Sequence, residues 1–161
     1  MSKIKIAIAD DNRDLVKMME AYFENHDSIE VMFTASNGKV CIKMLEQYRP
    51  DVLLLDIIMP HLDGMGVLEA MYNDENLADI PVIMLTAFGQ DDVMKMAVNY
   101  GASYFMLKPF EFEQLVQKIN HVAGVKVESE KRKSILQPTP NKKMDQRQLD
   151  TTITAIIKEI G

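Results

Sequence analysis

The sequence predicts an α/β protein in which five parallel strands form one sheet with helices on both faces. Two observations carry this. Five short apolar runs alternate with five stretches of helical apolar spacing over about the first 124 residues. The third run, Val52-Leu53-Leu54-Leu55, is apolar on both sides, as a strand in the middle of a parallel sheet must be. Right-handed crossovers then distribute the helices over both faces.

The elements follow in order. Lys5 to Ala9 reads as the first strand, and Asp14 to Asn25 as a helix with Leu15, Met18, Met19, Tyr22 and Phe23 on its apolar face. Ile29 to Ala35, rich in β-branched and aromatic residues, is the second strand. Asn37-Gly38 marks a turn, and Val40, Met44, Leu45 and Tyr48 trace the next helix until Arg49-Pro50-Asp51 breaks it. The third strand leads to a helix over Met65 to Tyr72. Pro81 to Leu85 is the fourth strand, and Asp91 to Tyr100 a helix that ends at Gly101, a good left-handed cap. Ser103 to Leu107 is the fifth strand. Glu111 to Val122 is the fifth helix, ending near Gly124. The order of the strands in the sheet is not legible in the periodicity.

Beyond this unit (1–124) the composition changes. Residues 125–148 hold seven basic side chains against three acidic ones, with Pro138 and Pro140 and little apolar content, and read as a flexible basic linker. Residues 149–161 place Leu149, Ile153, Ile156, Ile157 and Ile160 on one stripe at helical spacing. A lone helix of that length is marginal in water and needs a partner.

Bulk properties narrow the function classes. The 161 residues carry a net charge of -6, which argues against nucleic acid as a partner of the main surface. A single cysteine, Cys41, permits no internal disulfide. The start lacks the apolar block of a signal peptide, and no run approaches the roughly 20 apolar residues that cross a bilayer. The expectation is a cytoplasmic protein with no membrane partner.

In parallel α/β sheets, ligands sit at the carboxyl ends of the strands. There the sequence places Asp10-Asp11, Asp56, Thr86 and Lys108-Pro109, after the first, third, fourth and fifth strands. Converging carboxylates favour a hard divalent cation, and a small oxygen-lined site favours Mg²⁺. A lysine and a hydroxyl beside them suit a phosphoryl group passing to the Asp56 carboxylate. The product, an acyl phosphate, is labile, which is useful in a switch.

Four motifs in order, Ile-Ala-Asp-Asp-Asn at 8–12, Leu-Leu-Asp-Ile-Ile-Met-Pro-His-Leu-Asp-Gly at 54–64, Leu-Thr-Ala at 85–87 and Leu-Lys-Pro-Phe at 107–110, resemble the bacterial response-regulator receiver domain. The resemblance covers residues 1 to about 124 and implies the flavodoxin-like (βα)5 fold. It implies that Asp56 is the phosphoacceptor and that Asp10, Asp11, Asp56 and the backbone carbonyl of Ile58 hold Mg²⁺. It assigns Thr86 and Lys108 to the phosphoryl oxygens, and Phe105 as an aromatic that turns inward when Thr86 moves. It implies a cis peptide between Lys108 and Pro109.

Longer stretches, such as Ile-Met-Leu-Thr-Ala-Phe-Gly-Gln-Asp-Asp-Val and Gly-Ala-Ser-Tyr-Phe-Met-Leu-Lys-Pro-Phe, resemble the sporulation regulators of that family. The tail at 149–161 resembles the first helix of their DNA-binding domain, whose recognition helix this chain lacks. The implied partners are a histidine kinase or phosphohistidine phosphotransferase, an aspartyl-phosphate phosphatase, and a second copy on phosphorylation. DNA would be reached only through the missing C-terminal domain. Self-catalysed phosphorylation and dephosphorylation are implied, not turnover of a free substrate.

Two rival readings fit less well. An aspartyl-phosphate phosphatase of a related α/β fold needs an acid two residues after its nucleophile, where Ile58 stands. A flavin mononucleotide protein needs a phosphate-binding loop after the first strand, where Asp10-Asp11-Asn12 would repel phosphate. His26, His61 and His121 fall on separate elements without ligand spacing. Cys41 reads as a small buried apolar residue.

Overall fold

The computed structural model describes residues 2–87 and 91–135. Ten elements alternate: β1 (Ile4–Ala9), α1 (Arg13–Phe23), β2 (Ile29–Ala35), α2 (Gly38–Gln47), β3 (Val52–Asp56), α3 (Gly64–Tyr72), β4 (Val82–Thr86), α4 (Asp91–Asn99), β5 (Tyr104–Leu107) and α5 (Phe112–Ile135). The strands form one sheet in the order β2-β1-β3-β4-β5, every adjacent pair parallel.

Strand side chains alternate between faces, so each strand feeds two cores. Ala7, Ala9, Leu53, Leu55, Val82, Met84 and Phe105 meet Cys41 and Leu45 of α2, Val67 and Met71 of α3, and Met94 and Ala97 of α4. Ile6, Ile8, Val52, Leu54, Ile83, Leu85 and Met106 meet Val16, Met19 and Phe23 of α1 and Leu115, Ile119 and Val122 of α5. β3 and β4 are buried along their whole length. That is why the third and fourth apolar runs show no alternation.

Local chemistry sets most helix ends. Asn12, Asn37 and Asp63 accept hydrogen bonds from Leu15, Val40 and Gly66, capping α1, α2 and α3. Gly101, at φ 90°, closes α4 in the left-handed region.

One expected boundary is corrected. The fifth helix does not stop near Gly124; α5 runs on to Ile135. A glycine inside a helix costs only about 1 kcal/mol relative to alanine, and no further glycine or proline follows until Pro138. The rest of the expected linker and the expected helix at 149–161 lie outside the described residues.

The chain steps from β1 to β2 on one side, then returns to β3 on the other side of β1. The connections leaving β1 and β3 therefore diverge, opening a crevice at their carboxyl ends. No helix among the described residues is long and apolar enough to cross a membrane.

Candidate functional site

Pairing holds the strand tips level. Ala9 lies opposite Leu55, Asp56 opposite Leu85, and Thr86 opposite Leu107. The residues at or just past those tips, Asp10, Asp56, Thr86 and Lys108, therefore line one edge of the crevice. Their carriers are β1, β3, β4 and β5, four neighbours in the sheet.

Asp10 is 2% exposed, and both of its carboxylate oxygens are engaged. Oδ1 accepts the Asn12 backbone N–H at 2.9 Å, and Oδ2 accepts the Lys108 ammonium at 2.7 Å. Asp11 is exposed. Asp56, the last residue of β3, is 8% exposed, and its Oδ1 lies 3.4 Å from Lys108 Nζ. The lysine stem thus crosses the tips of β4 and β3 to reach the acid of β1. Its backbone N–H donates to the Thr86 carbonyl at 2.7 Å, which fixes its root, and the Lys108–Pro109 bond is cis.

The Asp56 carboxyl is pushed up to about 6. Burial is the main cause, and the negative charge of Asp10 adds to it. The charge and hydrogen bond of Lys108 and the backbone N–H of Ile58 pull the other way without overcoming them.

One carboxylate oxygen each from Asp10, Asp11 and Asp56 lies within 4.8 Å of the others. Among the described residues, Lys108 is the ammonium paired with this cluster, so the negative charge of three carboxylates is only partly compensated. This all-oxygen donor set fits Mg²⁺. Ile58, two residues past Asp56, turns its side chain to solvent at 65% exposure.

On the other flank, Thr86 is buried and its hydroxyl donates to the Ala87 carbonyl at 3.1 Å. Phe105 is enclosed, 0% exposed, in the core that holds Met84, Met94 and Ala97.

Sequence reasoning missed two glycines behind the site. Gly64 packs against the peptide of Asp56, and Gly38 against the backbone of Leu62. Their signals were the dipeptide Asn37-Gly38 and the Asp63-Gly64 that closes the 54–64 motif, which mark turns without naming what approaches them.

Residues 6–120 match the response regulator receiver domain family. The chain belongs to that family. Among solved structures, the signal receiver domain of a DNA-binding response regulator protein from Colwellia psychrerythraea 34H is 26% identical, with a TM-score of 0.67 over 76% of this chain and 99% of that one. The receiver domain of the Francisella response regulator 1452 is 25% identical, with a TM-score of 0.68 over 76% of this chain and 98% of its own. The response regulator domain of Thermotoga maritima CheB, 21% identical, shares the fold at a TM-score of 0.67, covering 76% of this chain and 97% of that one.

This receiver domain is therefore part of a two-component response regulator, a class that works with histidine kinases or phosphotransfer proteins. The acidic cluster at the tips of β1 and β3 stands where receiver domains generally use Mg²⁺.

Proposed function

We propose that Asp56 accepts a phosphoryl group from a phosphohistidine on a kinase or phosphotransfer protein, and that the change controls a sporulation transcription factor. One observation carries the chemistry: Lys108, from β5, spans Asp56 and Asp10 at the tips of β3 and β1. That brings an acceptor, a cation and an acidic metal cradle into one pocket.

In the transfer, an Asp56 carboxylate oxygen bonds to phosphorus while the phosphorus–nitrogen bond of the donor imidazole breaks. The bonding pair stays with the imidazole. Asp10, Asp11, Asp56 and the Ile58 carbonyl would hold Mg²⁺, which when bound would supply charge neutralisation at the phosphoryl oxygens. Lys108 keeps part of its donor capacity for one phosphoryl oxygen. Thr86 exchanges its bond to the Ala87 carbonyl for another. A groove of about 840 Å³ beside Lys108, lined by Leu15, Met18 and Tyr22 of α1 and by Phe110, offers the donor protein an apolar seat.

The sporulation reading rests on resemblance to stage zero sporulation protein A in the stretches around Asp56, Thr86 and Lys108. On that reading, phosphorylation drives dimerisation in the cytoplasm and an aspartyl-phosphate phosphatase resets the switch. On the same resemblance, DNA contact belongs to a DNA-binding domain and not to the receiver. The domain catalyses only its own phosphorylation and dephosphorylation, since Ile58 has no proton to give a leaving group.

The test is labelling by acetyl phosphate with Mg²⁺, read by intact mass beside gel filtration. The wild-type chain should gain one phosphoryl group and shift toward dimer. Asp56→Asn should gain none; labelling of that variant at full yield would move the acceptor elsewhere.

A further inference from the structure

We propose that Gly38, on α2, is a positioning residue for the phosphoacceptor, acting through the loop between β3 and α3. This inference rests on the reading that Asp56 and the Ile58 carbonyl hold Mg²⁺.

The loop over residues 57–63 is closed at both ends and pinned at Leu62. At its far end the Gly64 N–H donates to the Ile57 carbonyl at 2.8 Å. A methyl group at Gly64 would overlap the Asp56 carbonyl oxygen and lie 2.9 Å from both its carbonyl carbon and Ile57 Cα. At Leu62, the Gly38 N–H donates to the carbonyl at 2.9 Å. A methyl group at Gly38 would overlap that oxygen and lie 2.8 Å from the Leu62 carbonyl carbon and Cβ.

Neither contact meets the end of a flexible side chain. The obstructing atoms are backbone or Cβ, so relief requires the loop itself to move. Leu62 is two residues from Gly64, and Asp63 between them caps α3 through the Gly66 N–H at 2.8 Å. Because α3 is anchored by this cap and by the buried Val67 and Leu68, displacement is directed back along the loop to Ile58 and the Asp56 peptide. A misplacement of about 1 Å at a reacting group can cost on the order of 100-fold in rate. Gly38 thus acts on a carboxylate to which it makes no direct contact.

Gly101 provides the control. It sits at φ 90°, and a methyl group added there would meet nothing within 4 Å, so Gly101→Ala strains the end of α4 and leaves the loop alone. The 161-residue wild type, Gly38→Ala and Gly101→Ala are compared by calorimetric Mg²⁺ titration, amide NMR spectra and thermal melting. Gly38→Ala should bind Mg²⁺ about tenfold or more weakly, with amide shifts concentrated at Ile57 and Ile58. Gly101→Ala should lose melting temperature and keep its Mg²⁺ affinity.

A folded Gly38→Ala with wild-type affinity and unmoved loop amides would overturn the proposal. So would an equal loss of affinity in Gly101→Ala. If Gly38→Ala does not fold, Asn37→Ala removes the α2 cap on the Val40 N–H and should weaken Mg²⁺ binding by about threefold; unchanged affinity would overturn the proposal. If the wild type itself binds no Mg²⁺, the proposed function fails, while the loop amides of Gly38→Ala still report whether Gly38 sets their position.

Discussion

The Lys108 ammonium donates to Asp10 Oδ2 at 2.7 Å across 98 residues of sequence. Asp10 lies at the tip of β1 and Lys108 just past β5, with β3 and β4 between them. The contact ties the acidic side of the site to the tip of β5, and it makes the lysine the cation shared by Asp10 and Asp56.

Lys108→Ala removes that shared cation. The Asp56 carboxyl should then rise above its value of about 6, because the lysine is what lowers it. Leaving the buried Asp10 with one donor fewer should cost about 1–3 kcal/mol of stability, read by urea unfolding at pH 7.5. Mg²⁺ binding should survive, while any change of oligomeric state on phosphorylation is lost. A drop in Mg²⁺ affinity as large as that of Asp11→Ala would contradict the assignment of Lys108 to the phosphoryl group.

Asp56→Asn should stabilise the metal-free domain, and only at neutral pH. A carboxyl whose folded-state value is raised from 3.8 to about 6 binds its proton more tightly in the folded chain. Its ionised form therefore opposes folding increasingly as pH rises from about 4 to about 6, with a full cost of about 2–3 kcal/mol above that range. Chemical unfolding of wild type and Asp56→Asn, both in chelator, should diverge across this window and coincide near pH 4. Equal stability at pH 7.5 would show that the carboxylate is not strained.

Asp10 and Asp11 should separate in their consequences. Asp11 is exposed and Asp10 buried against Lys108. Asp11→Ala should therefore weaken Mg²⁺ binding by about tenfold or more with little change in melting temperature, since surface substitutions usually stay within about 0.5 kcal/mol. Asp10→Ala should weaken both, because it removes a metal ligand and the 2.7 Å partner of Lys108, leaving the lysine with Asp56 alone. Paired calorimetric titrations and melts distinguish the two.

Cys41 should be inert in the native chain. Burial in the core between the sheet and α2 pushes its thiol up to about 12, so almost no thiolate exists at neutral pH. Reaction with a thiol-specific disulfide reagent at pH 8 should be slow and should reach the free-cysteine rate only in denaturant. Rapid native labelling would show that α2 opens readily.

Much of the site was legible because its chemistry lies in residue types at strand ends. Periodicity placed the strand over Ile29–Ala35 with its observed bounds. The polar residues directly after four such runs marked the tips where ligands bind. Three things were not legible. Strand order depends on which edge each crossover reaches, so adjacency of Asp10 to Asp56 came from the sheet. The length of α5 past Gly124 was misjudged because one glycine was given the weight of a helix stop. The enclosure of Phe105 in the core with Met84, Met94 and Ala97 depends on which elements pack over β5, which no local pattern encodes.

What the amino-acid order determined alone is the inventory of the described residues: five strands and five helices, with an acid pair, a further carboxylate, a hydroxyl and a lysine at the strand ends. These follow from hydrophobic periodicity and local turn chemistry, which act over a few residues. What only the tertiary structure decided is the geometry among them: that Lys108 lies on Asp10, that burial and Asp10 together raise Asp56, and that Gly38 and Gly64 brace the loop behind it. Those relationships join residues up to 98 positions apart, and only packing across the sheet brings such residues within reach of one another.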